Sequence, residues 1–454
     1  MRRSSASRPP LPAWYIPGVS EIDRVYAWAD TSVGRVRDHN EDALLLDAAL
    51  SLYAVADGMG GHAAGEVASQ MALETLKNVV REGRAKIDAL IAAPSSKDAA
   101  REIQRLLEDA AQLACNVVHD AGQADEQKRG MGTTLSVLLI VASQGFIAHV
   151  GDSRIYLLRG DKSYQLTQDH TLQNELLKRG KLTAAQVSQV KQKNALIRAI
   201  GVYASVEVDT LRLDIFSGDR FLLCSDGLHA YLQKDELSKI FDGNLEQTAS
   251  RLVALANQRG GHDNITALVV STQAARISER PNLAQLKLET LRIATLFRFL
   301  NLQELVTVAN LTDVRYFVAD EPIFQEGAEG DELFVVLSGR VRVKKGGAVI
   351  VELGPGEHFG EMALIDRSPR SASVSALVDT RVLAMKRRDF LGLVKHEREL
   401  GVKLLWQFLG VLSARLRNTS RELGEARDKL ALGLSDMLDL DDLELDDDEL
   451  EPLS

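Results

Sequence analysis

The chain has 454 residues, of which 45% are hydrophobic and 26% charged, and its formal net charge is −10. This length exceeds a single hydrophobic core, so we expect two or three domains. The sequence has no run of 18 apolar residues and no basic patch, so we expect neither a membrane-spanning helix nor a nucleic-acid-binding protein. The two cysteines, Cys115 and Cys224, lie in apolar sequence, which favours buried thiols in a cytoplasmic protein.

Residues 1–23 begin with basic residues but lack the apolar core of a signal peptide, and we interpret them as a disordered leader. Residues 24–271 then alternate short apolar strands with helical patterns, which predicts a mixed α+β domain. Helical periodicity is found at 65–80 and around 98–120. The predicted strands are LYAVADG, TTLSVLLIVAS, GFIAHVGDS, RFLLCSDG and NITALVVST.

Five aspartates stand at the edges of these strands or in the adjoining turns: Asp42, Asp57, Asp152, Asp226 and Asp263. Taken singly, each is explained by an ordinary turn, because aspartate caps its own backbone and glycine accepts positive φ. If the edges converge, the carboxylates share one cleft and raise each other's pKa, and hard divalent cations relieve that repulsion. Such oxygen ligands favour Mg²⁺ or Mn²⁺ over zinc, and two ions can activate one water for attack on phosphorus.

Eight segments resemble, in this order, the bacterial metal-dependent protein serine/threonine phosphatases (type 2C, PPM family). They are GRVRDHNED, DGMGGHAAGE, GMGTTL, HVGDSRIYLLR, LTQDHT, LIRAIG, CSDGL and GHDNIT. The resemblance spans roughly residues 24–271. It implies an α-β-β-α sandwich of two antiparallel sheets with metals at one end, acting on phosphorylated protein substrates.

The resemblance also implies a ligand set for two Mn²⁺ or Mg²⁺ ions. Asp57, Asp226 and Asp263 would bind metal directly, with Asp57 bridging both ions. The carbonyl of Gly58 would add one oxygen, and Asp42 would hold metal-bound waters.

Two further side chains take roles from the resemblance. Arg37 would bind the substrate phosphate bidentately, as guanidinium geometry permits. His62 stands where the family has a candidate general acid, while a helix-capping or surface imidazole is the equally open alternative. Asn264 is expected to orient a ligand rather than to bind metal.

The sequence departs from the family at Ala230, where an acidic residue usually follows the SDGL segment. That acid and the equivalent of Asp152 lie near a third, weaker metal in the family. We therefore expect two metals to be bound and the third site to be weak or absent. Residues 173–194 correspond to the mobile flap over the cleft, and their lysines are more typical of a solvated helix face than of substrate contacts.

A proline-bearing charged stretch, 272–289, predicts a linker to a second domain at 290–420. This domain has a β-rich block at 316–386, which suggests a small barrel or roll, and helical sequence from Arg387 to about 431. Within HFGEMALIDRSPRSASVSA, a helix starting near Glu361 could hold an anion together with Arg370 and Ser371, while Glu361 could accept from a ribose hydroxyl. A structural turn with a surface Arg–Glu pair explains the same residues.

The segments EPIFQEGAEGDELFVVLSGRVRV, LGPGEHFGEMAL and PRSASV resemble the cyclic nucleotide-binding domain, which is a β-roll with flanking helices. The resemblance assigns the ribose and cyclic phosphate to Gly360, Glu361, Ala363, Arg370 and Ser371. The ligand would be cAMP or cGMP, with cAMP weakly favoured. We interpret Trp406 of the C-terminal helix as core packing rather than as a lid on the base.

Residues 421–454 comprise the end of a helix and an acidic tail, and residues 435–454 contain ten acids and no base. This composition predicts a disordered terminus, with a partner-docking segment as the alternative. Together the two domains indicate a protein phosphatase regulated by a cyclic nucleotide. The alternatives are a nucleotide-binding scaffold with a weak or inactive phosphatase domain, and an enzyme whose β-roll serves only packing or dimerisation.

Overall fold

The computed structural model describes residues 24–438 except 61–63, 94–95, 180–185, 187–193, 234–235, 242, 274–279 and 366–367. The chain divides into a first unit, Met1–Leu288 with Asn301–Asn310, and a second unit, Glu289–Leu300 with Leu311–Ser454. The predicted leader and the tail beyond residue 438 lie outside the described residues. Among the described helices, none is long and apolar enough to span a bilayer.

The first unit contains two antiparallel sheets. One has the strand order β1-β11-β10-β7-β8 and the other β2-β3-β5-β6-β9, with β4 paired to β3. The strands are β1 (Arg24–Ser32), β2 (Asp42–Asp47), β3 (Leu52–Met59), β4 (Gly132–Thr133), β5 (Leu135–Val141), β6 (Gln144–Val150), β7 (Arg154–Arg159), β8 (Lys162–Gln165), β9 (Asp209–Asp214), β10 (Arg220–Cys224) and β11 (Ile265–Gln273). All five strands predicted from the sequence are present.

Successive side chains of a strand point to opposite faces of its sheet, and this alternation builds the sandwich. Tyr53 and Val55 of β3 pack with Phe221 and Leu223 of β10 in the core between the sheets. The alternate residues of β3 pack instead into a second core formed with helices. Strand β3 is therefore buried on both faces, which explains its continuous apolar run.

Helices cover both outer faces of the sandwich. Those of the first unit are α1 (Ala64–Glu82), α2 (Arg84–Ala92), α3 (Lys97–Ala124), α4 (Leu172–Lys178), α5 (Asp226–His229), α6 (Glu236–Phe241) and α7 (Thr248–Gln258). Buried faces of α1 and α3 pack on the β3 sheet, and α7 packs on the β11 sheet. The α-β-β-α sandwich expected from the sequence is therefore present, and α4 is the described helical part of the predicted flap.

The segment predicted as a linker differs from the expectation. It begins with the end of β11 and continues into α8 (Arg280–Ile293), and α9 (Leu302–Asn310) follows. Pro281 stands in the first turn of α8, where its missing N–H costs no helical hydrogen bond, so the proline that suggested a linker is compatible with a helix. Residues 301–310, placed in the second domain by sequence, belong to the first unit, where Val306 joins the sandwich core.

The second unit is a β-roll of two four-stranded antiparallel sheets, with orders β12-β19-β14-β17 and β13-β18-β15-β16. Its elements are β12 (Thr312–Phe317), β13 (Pro322–Phe324), β14 (Glu332–Ser338), β15 (Val341–Lys345), β16 (Ala348–Leu353), β17 (His358–Phe359), β18 (Ser373–Ala376), β19 (Thr380–Lys386), α10 (Met362–Ile365), α11 (Arg387–His396) and α12 (Arg398–Leu438). The rings of Phe324, Phe334 and Phe359 meet in its core. The predicted roll and the helical sequence after Arg387 are both confirmed.

Candidate metal centre and nucleotide cassette

Asp42 and Asp57 face each other across the β2–β3 pair at the end of the sheet. The backbone of Asp57 is fixed by Thr134, whose hydroxyl accepts from the Asp57 N–H at 2.9 Å and whose N–H donates to the Asp57 carbonyl at 2.9 Å. These two hydrogen bonds to Thr134 therefore fix the position of the strand end that carries the Asp57 carboxylate.

The Asp42 carboxylate joins the two sheets. Its Oδ2 accepts from the hydroxyls of Ser225 at 2.8 Å and Thr266 at 2.7 Å, both of which come from the β11 sheet side of the sandwich. Its Oδ1 is buried and has no hydrogen-bond partner among the described residues. One oxygen thus positions the side chain, and the other has acceptor capacity left for a ligand.

Asp226 and Asp152 complete a cluster around Asp57. Asp226 is the first residue of α5, and its charge is close enough to help raise the pKa of Asp57. Asp152 follows β6, and its backbone carbonyl lies 2.9 Å from His229 Nε2. Acids from four separate chain segments are therefore near enough to influence the pKa of one another, whereas the metal-ligand roles suggested by the sequence stay predictions.

Burial and mutual repulsion raise the pKa values of the carboxyl groups in this cluster, so these groups resist ionisation. Burial, and then the charge of Asp226, raises the pKa of Asp42 to about 7. Burial and Asp226 likewise raise the pKa of Asp152 to about 7, and burial followed by Asp42 holds the pKa of Asp57 well above its ordinary value. The pKa of Asp226 is also raised, chiefly by burial. Several carboxylates that resist ionisation together are suited to a divalent cation, which favours their charged forms.

Asp263 lies at the same edge but is engaged elsewhere. Its Oδ2 accepts from Arg37 Nη2 at 2.8 Å, so the two residues predicted to bind metal and phosphate contact each other. In the described part of the chain, no three His, Cys, Asp or Glu side chains meet in a geometry that could hold a metal ion. The side chains as described therefore do not form a complete ligand set, and the metal ligands stay a prediction.

Gly58 permits a close backbone approach beside Asp57. A Cβ at this position would lie 2.2 Å from the carbonyl oxygen of Gly65 and 2.6 Å from that of Glu41. The Gly58 N–H donates to the Glu41 carbonyl at 3.1 Å. Any side chain at Gly58 would displace the loop before β2 or the start of α1.

This edge is held together by residues to which the sequence pattern gave no such role. Asn264 accepts from the N–H of Glu41 at 2.8 Å and donates to the carbonyls of Val33 and His39, at 3.0 and 2.8 Å. It therefore organises the loop that carries Arg37, rather than only orienting a ligand. The hydroxyl residues Thr134, Ser225 and Thr266 were equally unassigned, although each stands within three residues of a predicted acid or in the GTT segment.

Three sequence predictions stay untested by the structure. His62 lies outside the described residues. Ala230 is exposed at the end of α5, next to the histidine that contacts Asp152, so no carboxylate stands at the position the family uses for a third metal. Most of the predicted flap also lies outside the described residues.

In the second unit, the cassette residues gather around Arg370. This side chain is buried, donates from Nη1 to the carbonyls of Glu332 at 3.0 Å and Gly360 at 3.2 Å, and stacks 4.2 Å from the ring centre of Phe324. Gly360 has φ of 76°, and a Cβ there would meet Arg370 Nη1 at 2.6 Å. Ala363 is buried in α10, and Ser371 is exposed directly after Arg370.

Glu361 is buried beside these residues, and Arg415 of α12 donates to its Oε1. The second oxygen, Oε2, is buried without a hydrogen-bond partner among the described residues, as is Nε of Arg370. One spare acceptor and one spare cationic donor suit a ribose hydroxyl and a phosphate, respectively. The cassette residues therefore fit a cyclic nucleotide.

Trp406 contradicts its sequence interpretation. The side chain is 73% exposed, whereas Leu404 and Phe408 on the opposite face of α12 are buried. The prediction that Trp406 packs in the core is therefore wrong, because the 3.6-residue period of the helix places this side chain away from the core face.

Known proteins are similar to this chain in two separate regions. The sequence model described as protein phosphatase 2C matches residues 31–274, and that of the cyclic nucleotide-binding domain matches residues 314–397. The protein phosphatase PhpP of Streptococcus pneumoniae is 39% identical over 246 residues, covering 53% of this chain and 95% of that protein. The serine/threonine phosphatase stp of Listeria innocua is 38% identical over 245 residues, covering 53% and 93%.

Among solved structures, the serine/threonine phosphatase PstP/Ppp of Mycobacterium tuberculosis is 31% identical, with a TM-score of 0.48, covering 55% of this chain and 99% of that one. The phosphatase 2C match spans more than half of the chain and contains every acid of the cluster. The chain therefore belongs to the protein phosphatase 2C family, with a metal-dependent serine/threonine phosphatase domain followed by a cyclic nucleotide-binding domain.

Proposed function

We propose that the first unit hydrolyses phosphoserine and phosphothreonine in protein substrates and that a cyclic nucleotide bound by the second unit regulates this activity. The observation that carries the first part is the convergence of Asp42, Asp57, Asp152 and Asp226 in one buried cluster with raised pKa values. The names of the relatives support the substrate class.

In this proposal Asp57, Asp226 and Asp263 hold two Mn²⁺ or Mg²⁺ ions, and the Gly58 carbonyl contributes a further oxygen. When bound, the ions supply an activated water for in-line attack on phosphorus. Asp42, fixed through Oδ2 by two hydroxyls, uses its free Oδ1 to orient water.

Arg37 recognises the substrate in the same proposal. Its guanidinium is half exposed and lies in the loop braced by Asn264, so it can reach a phosphate outside the buried cluster. Two parallel N–H groups match two phosphate oxygens. The present contact with Asp263 keeps this cation at the edge of the cluster and is given up when phosphate binds. His62 remains a predicted general acid.

Regulation is assigned to the contact between Glu361 and Arg415. A ribose hydroxyl that donates to the unpartnered Oε2 of Glu361 shares this carboxylate with Arg415 at Oε1, so nucleotide binding weakens the Glu361–Arg415 pair and changes the constraint on α12. Arg370, with its unused Nε, provides the charge for the cyclic phosphate. Coupling between two such sites is typically about 1–3 kcal/mol.

The enzymatic part is tested by Mn²⁺-dependent release of phosphate from a phosphothreonine peptide. Asp57→Asn should reduce turnover by at least about 100-fold, since it removes the central ligand. Asp47→Asn is the matched control, because Asp47 lies on the same hairpin and pairs with surface Lys77 at 3.0 Å. If the wild type shows no metal-dependent turnover, the enzymatic proposal is wrong and the chain is better explained as a nucleotide-binding scaffold.

The regulatory part is tested by calorimetry with cAMP and cGMP, followed by the phosphatase assay at saturating nucleotide. Arg370→Ala should abolish the binding heat, and Arg342→Ala, in a surface pair with Glu352, should not. Equal heats in wild type and Arg370→Ala, or none in either, would support a β-roll that binds no nucleotide. If the nucleotide binds but phosphatase turnover does not change, the proposed regulation is wrong and the proposed nucleotide binding stands.

A further inference from the structure

Helix α9 lies in a part of the chain to which neither family match assigns a role. The phosphatase 2C match ends at residue 274, and the cyclic nucleotide-binding match begins at residue 314. Residues 301–310 nevertheless belong to the first unit, although the chain joins them at both ends to residues of the second unit. The first unit therefore contains a helix that lies outside its own family match.

This helix packs against the edge strand β9. Among the described strands, β9 pairs only with β6 and stands at the end of its sheet. Val306 is 5% exposed and belongs to the same apolar cluster as Leu213 of β9, and Leu302 packs against that cluster. Asn310 Nδ2 donates to the Arg212 carbonyl of β9 at 2.6 Å. Because a sheet edge carries backbone groups without a neighbouring strand, a helix that covers it fixes the strand in place.

The opposite end of β9 holds two further chain segments together. Asp209, three residues or about 10 Å along the strand from the contact with Asn310, accepts from Arg198 Nη1 at 2.8 Å. Its other oxygen lies 3.2 Å from His170 Nε2. The segments that carry these two partners also meet directly, because the N–H of Ile197 donates to the His170 carbonyl at 2.9 Å. The position of β9 therefore constrains the position of His170.

His170 is bonded in turn to the residue before Asp152. Its N–H donates to the Gly151 carbonyl at 2.7 Å, and the Gly151 N–H donates to His170 Nδ1 at 3.1 Å. Since Nδ1 is an acceptor here, Nε2 is left to donate to Asp209. Gly151 has φ of 107°, and a Cβ there would lie 2.6 Å from Thr134. The turn that carries Asp152 is therefore fixed by its own backbone and by one imidazole.

We propose that Asn310 and Val306 of α9 are positioning residues of the phosphatase. By holding β9, they fix His170 and, through it, the turn that places Asp152 in the acid cluster. Every contact on this route is a hydrogen bond, an ion pair or an apolar contact within the first unit. The proposal rests on the proposed phosphatase activity and does not depend on nucleotide binding.

The test uses the full chain with Asn310→Asp, which keeps the shape of the side chain and removes the N–H donor to β9. Hydrogen exchange, measured by mass spectrometry on fragments that contain Gly151, should be faster than in the wild type, because the amide that His170 holds opens more often. The Mn²⁺ concentration for half-maximal phosphatase activity should rise about 2–30-fold, the range for substitutions along a coupled network. Thr307→Val is the control and should change neither quantity, because it removes only a hydrogen bond within α9, from the hydroxyl to the Gln303 carbonyl at 3.0 Å.

Two further variants separate positioning from a loss of stability. Val306→Ala weakens the apolar part of the same contact and should change both quantities in the same direction as Asn310→Asp. Asp209→Asn interrupts the route in its middle. Combined with Asn310→Asp, it should raise the half-maximal Mn²⁺ concentration by less than the product of the two single changes, because both variants act on one route.

Unchanged exchange at Gly151 in both α9 variants would overturn the proposal, and so would single effects that multiply in the double variant. Faster exchange throughout the first unit, including α7, would also overturn it, because α9 would then only stabilise the fold. The same holds for faster exchange at Gly151 with an unchanged Mn²⁺ requirement in an active enzyme. If the wild type shows no Mn²⁺-dependent turnover, the proposed function is wrong, and hydrogen exchange alone decides whether α9 positions the turn.

Discussion

Arg415 of α12 donates to Glu361 of the nucleotide cassette, across 54 residues of sequence. Arg415 also donates to the carbonyl of His358 at 3.3 Å, so the guanidinium holds two groups of the cassette. Glu361 is buried and would otherwise be an unpaired acid. In the proposed function, the nucleotide and the helix therefore share the same carboxylate.

Arg415→Ala should tighten nucleotide binding. Oε2 of Glu361 has no partner even with Arg415 in place, so the change makes this carboxylate a stronger acceptor for the ribose hydroxyl rather than adding a new bond. The dissociation constant should therefore fall, but by less than the tenfold or more that a whole charged hydrogen bond, about 1.5–3 kcal/mol, would give. Calorimetry with cAMP and cGMP measures this. Arg417→Ala is the control, because Arg417 is exposed and donates to Ser413 Oγ on the same helix at 2.8 Å, away from the cassette. Weaker binding by Arg415→Ala would instead show that Arg415 contacts the nucleotide.

Arg37→Ala should impair substrate recognition more than metal binding. Loss of a bidentate cation costs about 1.5–3 kcal/mol, so kcat/KM for a phosphothreonine peptide should fall about 10–100-fold, mostly through KM. The same variant frees Asp263, so the Mn²⁺ concentration for half-maximal activity should not rise. Arg35→Ala, an exposed arginine of the same loop, is the control. An unchanged KM in Arg37→Ala would exclude a role in phosphate binding.

The sequence was sufficient to predict those strands that are defined by a local pattern of apolar and turn residues. The strands around Asp57 and Asp226 were visible from their apolar runs and turn residues, and the family resemblance of the ordered motifs implied the sandwich. The contacts of Asp42 were not visible, because Ser225 and Thr266 are 183 and 224 residues away and meet it only through the packing of two sheets. The helix in the linker was hidden by its proline, whose effect depends on its position within the helix.

Ala230→Asp should create a weak additional metal dependence. Ala230 is exposed and follows His229, whose ring contacts the Asp152 backbone, so a carboxylate at 230 would enter the neighbourhood of Asp152. We expect activity of the wild type to rise with Mn²⁺ in a single saturable phase, and that of the variant to show a second phase at higher concentration. Ala230→Asn, which has the same shape without the charge, should retain the single phase. Two phases already present in the wild type would contradict the expected loss of the third site.

His149 should make the first unit less stable as the pH falls. The ring is buried between Ser136 Oγ at 2.9 Å and the carbonyl of Gln168 at 3.1 Å, with His170 at 4.9 Å between ring centroids. Burial, and then the charge of His170, lowers the pKa of His149 from 6.5 to about 3. Between these values the unfolded chain binds a proton that the folded chain does not, so this residue decreases the free energy of unfolding by about 1.4 kcal/mol for each pH unit below 6.5.

The acids of the metal cluster act in the opposite direction, because their pKa values are raised on folding, so His149 must be isolated by comparing two proteins. Urea unfolding followed by Trp28 fluorescence, in a background where Trp14 and Trp406 are phenylalanine, reports on the first unit. His149→Gln keeps a polar side chain at the site without the titration, so its free energy of unfolding should depend less steeply on pH between about 4 and 6.5 than that of the parent protein. His396→Gln, in the second unit, should leave the pH dependence of the first unit unchanged. Identical pH slopes for His149→Gln and the parent would mean that His149 is protonated in the folded protein.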